Sequence, residues 1–214
     1  MKILVTGCAG FIGYHLCIAL SNEASFKIFG IDNLNNYYDV NLKRNRLKIL
    51  KKNNKNFFFQ KIDLINFDNL NLFIKKNKID IIINLAAQAG VRFSIEKPEK
   101  YFDSNYLGFF NILEASRRNK IKHLIYASSS SVYGDNKNFP LNEKSETSKP
   151  LSFYAASKKT NEIMAESYNN IYKLKSTGLR FFTVYGPYGR PDMSLYKFCE
   201  AIHHKKPIYL YNYG

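Results

Sequence analysis

With 214 residues, 45% of them hydrophobic, the chain is long enough to bury the core of a full domain and too apolar to be disordered. Its formal charge of +15 arises from dispersed lysines, many beside Asn, with no arginine-rich block interleaved with aromatics, so no nucleic-acid partner is expected. Cys8, Cys17 and Cys199 form no CxxC pair and no metal-ligand spacing with the four histidines, which argues against a metal site and for reduced thiols in a cytoplasmic protein.

In chain order, residues 2–5 form a short apolar run. Thr6, Gly7, Gly10 and Gly13 then interrupt it with no small-residue cleavage pattern, so a signal peptide is not expected. Further strands are predicted at 27–31, 57–62, 79–84, 123–127 and 176–180, all continuous enough to be covered on both faces. Helices are predicted between them at 11–22, 41–53, 66–77, 99–119, 153–173 and 193–204. The apolar stretch 79–87 is too short to cross a bilayer and contains Asp80, so no membrane partner is expected. Residues 128–152, rich in Ser, Asn, Lys and Pro, read as a long loop after a strand. This alternation predicts an α/β protein, a doubly wound parallel sheet with helices on both faces and ligands at the carboxyl ends of its strands.

The turn after the first strand reads Gly7-Cys8-Ala9-Gly10-Phe11-Ile12-Gly13. Glycines there permit a tight turn and let the backbone approach a pyrophosphate, while the following helix presents free N–H groups to it. Asp32 ends the second strand, beside Asn33. It is placed to accept from an adenosine ribose, which favours NAD over NADP, although an Asx-turn residue is the plainer reading. Tyr154-Ala155-Ala156-Ser157-Lys158 puts a phenol and an ammonium on one helical face. A free tyrosine titrates at about pH 10, so a neighbouring Lys158 and a cationic nicotinamide are expected to lower it enough for acid–base work.

These motifs resemble the extended short-chain dehydrogenase/reductase family over residues 1–214, specifically its NAD-dependent epimerase/dehydratase branch with a Rossmann fold. The glycine spacing is GxxGxxG, Asp63-Leu64 and Leu85-Ala86-Ala87 follow the third and fourth strands, and Asn105 stands at the position of a structural asparagine. The resemblance implies cofactor contacts at Gly7, Gly10, Phe11, Ile12, Gly13, Asp32, Asn33, Asp63, Leu64, Leu85, Ala86, Ala87, Asn105, Tyr154 and Lys158. It also implies a catalytic set of Tyr154, Lys158 and Ser129, the serine hydrogen-bonding the reacting hydroxyl. Dehydratases of this branch resemble Thr-Asp-Glu before Val-Tyr-Gly; here Ser130 and Ser131 occupy the acidic positions, so the general acid and base of water elimination are missing. Another UDP-hexose 4-epimerase, a dehydratase or decarboxylase, and an inactive NAD-binding fragment are the alternatives.

Residues 32–39, 86–92, 178–187 and 189–193 are similar to UDP-glucuronate 4-epimerases. That likeness implies a redox-neutral exchange of UDP-glucuronate and UDP-galacturonate. Tyr154 takes the C4 hydroxyl proton while NAD+ takes the hydride; the 4-keto sugar then turns, and both are returned to the other face. Ser129, Ser130, Thr183, Arg190 and Arg92 are candidates to hold the carboxylate, with loop packing an equal reading of Arg92. Arg180 reads equally as a structural ion-pair partner. A homodimer through a bundle of the helices at 99–119 and 153–173 is implied by analogy. Residues 1–180 are expected to form the NAD-binding domain and 181–214 the start of a substrate-binding region, most of which is expected to be missing.

Overall fold

A computed structural model describes residues 1–208. Its elements are β1 (Lys2–Thr6), α1 (Phe11–Ser21), β2 (Lys27–Asp32), α2 (Val40–Asn53), β3 (Phe57–Lys61), α3 (Phe67–Asn77), β4 (Ile81–Asn84), α4 (Phe93–Glu96), α5 (Pro98–Tyr101), a π-helical segment (Phe102–Leu107), α6 (Gly108–Arg118), β5 (His123–Ser129), a 3-10 turn (Ser130–Tyr133), α7 (Phe153–Tyr172), β6 (Ser176–Phe181) and α8 (Ser194–His203). The strands form one parallel sheet in the order β3-β2-β1-β4-β5-β6. Strand order reverses between β1 and β4, and the crevice outside their carboxyl ends is where such a sheet admits ligands. Residues 209–214, within the expected start of the substrate-binding region, lie outside the described residues.

Strand alternation builds the core. Along β1, Leu4 faces one side with Phe29, Ile31, Ile82 and Leu124, packed beneath Leu70, Ile74, Ile112 and Ala165 of the helices on that side. Ile3 and Val5 face the other, with Ile28 and Ile83 under Tyr14, Cys17, Leu47 and Leu50. A strand with both faces covered must be apolar at every position, which is why these runs are continuous. Helix ends follow local chemistry: the side chains of Asp39, Asn66 and Ser152 accept from Asn41 N, Asn69 N and Ala155 N at the starts of α2, α3 and α7.

Three expectations change. The edge strands are not covered on both faces, since Phe58 of β3 is 43% exposed and Leu179 of β6 is 38% exposed. The single helix expected over 99–119 is broken, with α5 passing through the π-helical turn into α6. A wide turn there lets Asn105 aim its amide inward at Gln88 while its carbonyl accepts from Asn161 Nδ2 at 2.7 Å. The loop expected from 128 begins later, because Ser128 and Ser129 extend β5 in register with Arg180 and Phe181. Among the described residues no helix is long and apolar enough to cross a membrane.

Glu114 ties α6 to α7. Its carboxylate accepts from Arg117 Nε and Nη2, both at 2.9 Å, from Arg118 Nε at 3.1 Å and from the Tyr168 hydroxyl at 2.9 Å. The Arg117 hydrogen bonds, more than the others, hold it down to about 2. A depressed carboxylate stabilises the fold above its unfolded pKa and loses that contribution as pH falls through the folded value. Glu114→Gln is therefore expected to cost about 1 kcal/mol at pH 7, allowing for solvent screening, with the gap to the native chain closing between about pH 4.5 and pH 2. Urea unfolding across that range measures it; a pH-independent gap would refute the electrostatic origin.

Candidate active site

The carboxyl ends of β1, β2, β4 and β5 surround a cavity of about 410 Å³. Its floor is the glycine turn. Gly7 has φ +67°, and a Cβ there would lie 2.8 Å from Ala86 N; a Cβ on Gly13 would lie 2.2 Å from Gly7 O. No other residue fits without parting β1 from α1 or from the strand end at Ala86. Gly10 is the N-cap of α1 and supplies no side-chain cap, so the first-turn N–H groups are left to a ligand. Thr6 Oγ1 donates to Asn84 Oδ1 at 2.6 Å and accepts from Ala86 N at 3.0 Å, locking β1 to β4 beneath the turn.

At one end of the cavity, Asp32 is buried with Oδ2 accepting from Ala9 N at 3.2 Å and Oδ1 from Leu34 N at 2.8 Å. Asp32 thus caps an Asx turn, and its carboxylate lines the cavity as well. Burial pushes its pKa up, against the Leu34 hydrogen bond and Lys43, whose Nζ donates to Asn35 O and Oδ1. Asn33 donates to Asp63 Oδ2 at 2.9 Å, joining the ends of β2 and β3.

At the other end stand Tyr154, Lys158, Ser129 and Ser130. Ser152 caps α7, and the following turns aim Tyr154 and Lys158 back at the end of β5. Tyr154 is hydrogen-bonded to Ser129, which with Arg190 opposes the upward pull of burial on the phenol; the net shift is upward. The expected lowering by Lys158 is absent from the protein alone. The lysine is fully enclosed, its Nζ donates to Ala127 O at 2.9 Å, and it stands 5.9 Å from the Tyr154 ring centre. Burial brings Lys158 down to about 8, so at neutral pH it keeps most of its charge beside the phenol.

Gly7, Gly10, Phe11, Ile12, Gly13, Asp32, Asn33, Asp63, Leu64, Leu85, Ala86, Ala87, Ser129, Ser130, Tyr154, Lys158, Thr183 and Arg190 all line this one cavity. Two residues named from the sequence are not brought to it. Asn105 is buried behind the wall, its side chain consumed by Gln88 N at 2.8 Å, Gln88 O at 3.0 Å and Ser157 Oγ at 2.9 Å, so it shapes the 85–90 wall and does not face the cavity. Arg92 is exposed at the start of the four-residue α4 and is not among the lining residues. Arg180 pairs with Glu162, Nε to Oε1 at 2.9 Å and Nη2 to Oε2 at 3.0 Å, a structural role.

Sequence reasoning missed Gln88, Lys43 and Tyr38 as lining residues, and the pairing of Arg190 with Asp192. Burial works against both charges of that pair, yet mutual hydrogen bonding raises Arg190 and lowers Asp192. An acid two residues after an arginine was the available signal.

The glycine cradle, the uncapped helix start and the buried Asp32 fit a dinucleotide with a free ribose diol. A lysine resonance titrating near pH 8 is expected in 13C NMR of lysine-labelled protein without ligand, and it should vanish in Lys158→Met. A titration at the ordinary value of about 10.4 would refute the burial argument.

Residues 3–214 match the model of the NAD dependent epimerase/dehydratase family. The chain is 53% identical over 214 residues to Protein CapI of Staphylococcus aureus, covering all of this chain and 63% of that relative. It is 45% identical to a probable UDP-glucuronate 4-epimerase of Rhizobium meliloti, covering 62% of it. Among solved structures, the UDP-glucuronic acid 4-epimerase of Bacillus cereus in complex with UDP-glucuronic acid and NAD is similar with TM-score 0.91 and 35% identity, over 97% of this chain and 65% of that one. The chain thus spans less than two thirds of the length of these relatives, and every strand and helix described above falls within the matched region. It belongs to the NAD dependent epimerase/dehydratase family.

Proposed function

We propose that the chain is the NAD-binding part of a nucleotide-sugar 4-epimerase that interconverts UDP-glucuronate and UDP-galacturonate. In this reading residues 1–180 hold NAD and 181–214 begin the substrate-binding region. The observation that carries it is the convergence of Tyr154, Ser129 and Arg190 at one end of a cavity whose floor is the glycine turn and whose other end holds Asp32.

NAD, when bound, supplies a reversible acceptor for the C4 hydride. The protein's share is proton transfer and orientation. Tyr154 removes and returns the proton of the C4 hydroxyl, Ser129 hydrogen-bonds the same hydroxyl, and Arg190 supplies positive potential that favours phenolate, with Lys158 held on Ala127 O behind the ring. Ser130 and Ser131 stand where elimination would require an acid and a base, which favours epimerisation over dehydration. Arg190, with Thr183 and Ser130 along the same cavity, offers the donors that a hexuronate carboxylate needs. The charge of +15 favours encounter with a substrate carrying a diphosphate and a carboxylate. Phe102, Leu107, Phe110 and Ile163 leave an exposed apolar face across the π-helical segment, α6 and α7, which supports a homodimer through a helix bundle.

Incubation with UDP-glucuronate and catalytic NAD+, followed by proton NMR, is expected to yield UDP-galacturonate without net NADH. A UDP-pentose with released CO2 would instead identify a decarboxylase, and retained NAD binding with no conversion would identify a binding module. Tyr154→Phe is expected to lower turnover by about 10³-fold while NAD stays bound; full activity in that variant would refute the catalytic assignment.

A further inference from the structure

Two side chains outside the proposed chemistry join opposite walls of the cavity. Arg46 is wholly buried, yet the acceptors of its hydrogen bonds are backbone carbonyls and one phenol, with no carboxylate among them. Nη1 donates to Ala9 O at 2.8 Å, inside the glycine turn, and to Tyr38 Oη at 2.7 Å. Nη2 reaches across to Tyr188 O at 2.7 Å and Gly189 O at 3.4 Å. Nε has no partner. A buried guanidinium hydrogen-bonded to no carboxylate is costly, and an apolar side chain would fill the same space more cheaply. What the guanidinium alone can do is hold the glycine turn and the segment just before Arg190 with a single planar group.

Tyr37 makes the second bridge. Its hydroxyl donates to Asp192 Oδ2 at 3.0 Å, across 155 positions of sequence, and its ring packs on Phe93. A further tie runs between His15 Nε2 and Pro187 O at 2.9 Å. Tyr37 and Tyr38 line one wall of the cavity, and Arg190 and Met193 line the other. The segment 186–192 is thus fastened to α1 and to the β2–α2 region on the side where the phosphate cradle lies.

We propose that Arg46 and Tyr37 are positioning residues that hold the 186–192 segment closed against the cofactor cavity and thereby slow the escape of NAD. The inference rests on the cofactor reading above and extends it. A redox-neutral epimerase must return the hydride to the sugar that gave it, so a cofactor that leaves as NADH ends the cycle with the sugar oxidised. A closed wall keeps the reduced cofactor in place between the two hydride steps. The same bridges fix Arg190 beside Tyr154, so the wall that retains the cofactor also carries the sugar-side cation.

The test is the dissociation rate of NADH from the full chain, followed by fluorescence in stopped flow with excess NAD+ as competitor. Arg46→Met is expected to raise that rate by about 10- to 100-fold and Tyr37→Phe by about 3- to 10-fold, with association rates changed less than about threefold. Arg46→Lys should fall between native and Met, since one ammonium cannot span both carbonyl sets. Native dissociation rates in the variants, even with lowered unfolding midpoints, would overturn the proposal by reducing these residues to scaffold. If Arg46→Met does not fold, Tyr37→Phe decides alone, because it removes one hydroxyl and keeps the ring packing. Failure of the native chain to bind NADH at all would sink the cofactor reading itself, and with it this extension.

Discussion

The approach of α1 to the ends of β1 and β4 is the constraint on which the rest of the structure depends. With Gly13 packed so close that a Cβ would sit 2.2 Å from Gly7 O, the helix starts almost in contact with the strand it follows. Its free amides then lie at the sheet's switch point, where β1 and β4 diverge into separate connections. The hydroxyl of Thr6 bridges β1 and β4 at that point through Asn84 and Ala86, so the cradle is held from beneath by buried polar bonds as well as by packing. Loosening any of these would move the floor of the cavity relative to both of its ends.

The second wall depends on a different device. The segment 85–90 has no regular structure, yet lines the cavity at Leu85, Ala86, Ala87 and Gln88. Its backbone groups find partners in side chains. Asn105 takes both the N–H and the carbonyl of Gln88, and the buried Tyr101 hydroxyl donates to the carbonyls of Ala89 and Gly90. A buried irregular strand end must be satisfied in this way, because an amide left unpaired away from water carries the full penalty of its desolvation. The π-helical turn is the backbone consequence, since it lets one asparagine serve Gln88, Ser157 and Asn161 together.

Electrostatics is arranged in layers around the phenol. Burial lowers Lys158 without removing its charge at neutral pH, while Asp192 holds the charge on Arg190. Behind them, Glu162 accepts from Ser128 at 2.6 Å and from Arg180 in a bidentate pair, anchoring the end of β5 to α7 and β6. Ser129, one residue on, therefore reaches Tyr154 from a strand end that is pinned on two sides. Lys158 and Arg190 face the cavity near the phenol, whereas the lining carboxylates, Asp32 and Asp63, stand at or just past the ends of β2 and β3.

Much of the fold and of the candidate site was legible in the chain itself. The continuous runs at β1, β2 and β4, the glycine spacing, Asp32 and the Tyr154–Lys158 pair are local patterns, and local patterns carry period, turn chemistry and helical face directly. What depends on distant partners was not legible. Phe58 and Leu179 read as core because hydrophobicity does not say which strands will be edges. Asn105 read as a cofactor contact because its position on the helix does not reveal that a π turn directs it to Gln88. In the protein alone Tyr154 is raised, because burial, which a sequence does not display, outweighs the neighbouring donor and cation. The bridging roles of Arg46 and Tyr37 were not legible, since the partners that define them lie more than 140 positions away at Tyr188 and Asp192. The sequence by itself determined the layered sheet and the chemistry at its strand ends, because spacing along one helix or turn needs no partner to define it. Only the tertiary structure decided which charges are shielded and which segments close the cavity, because burial and contact are properties of the assembled walls.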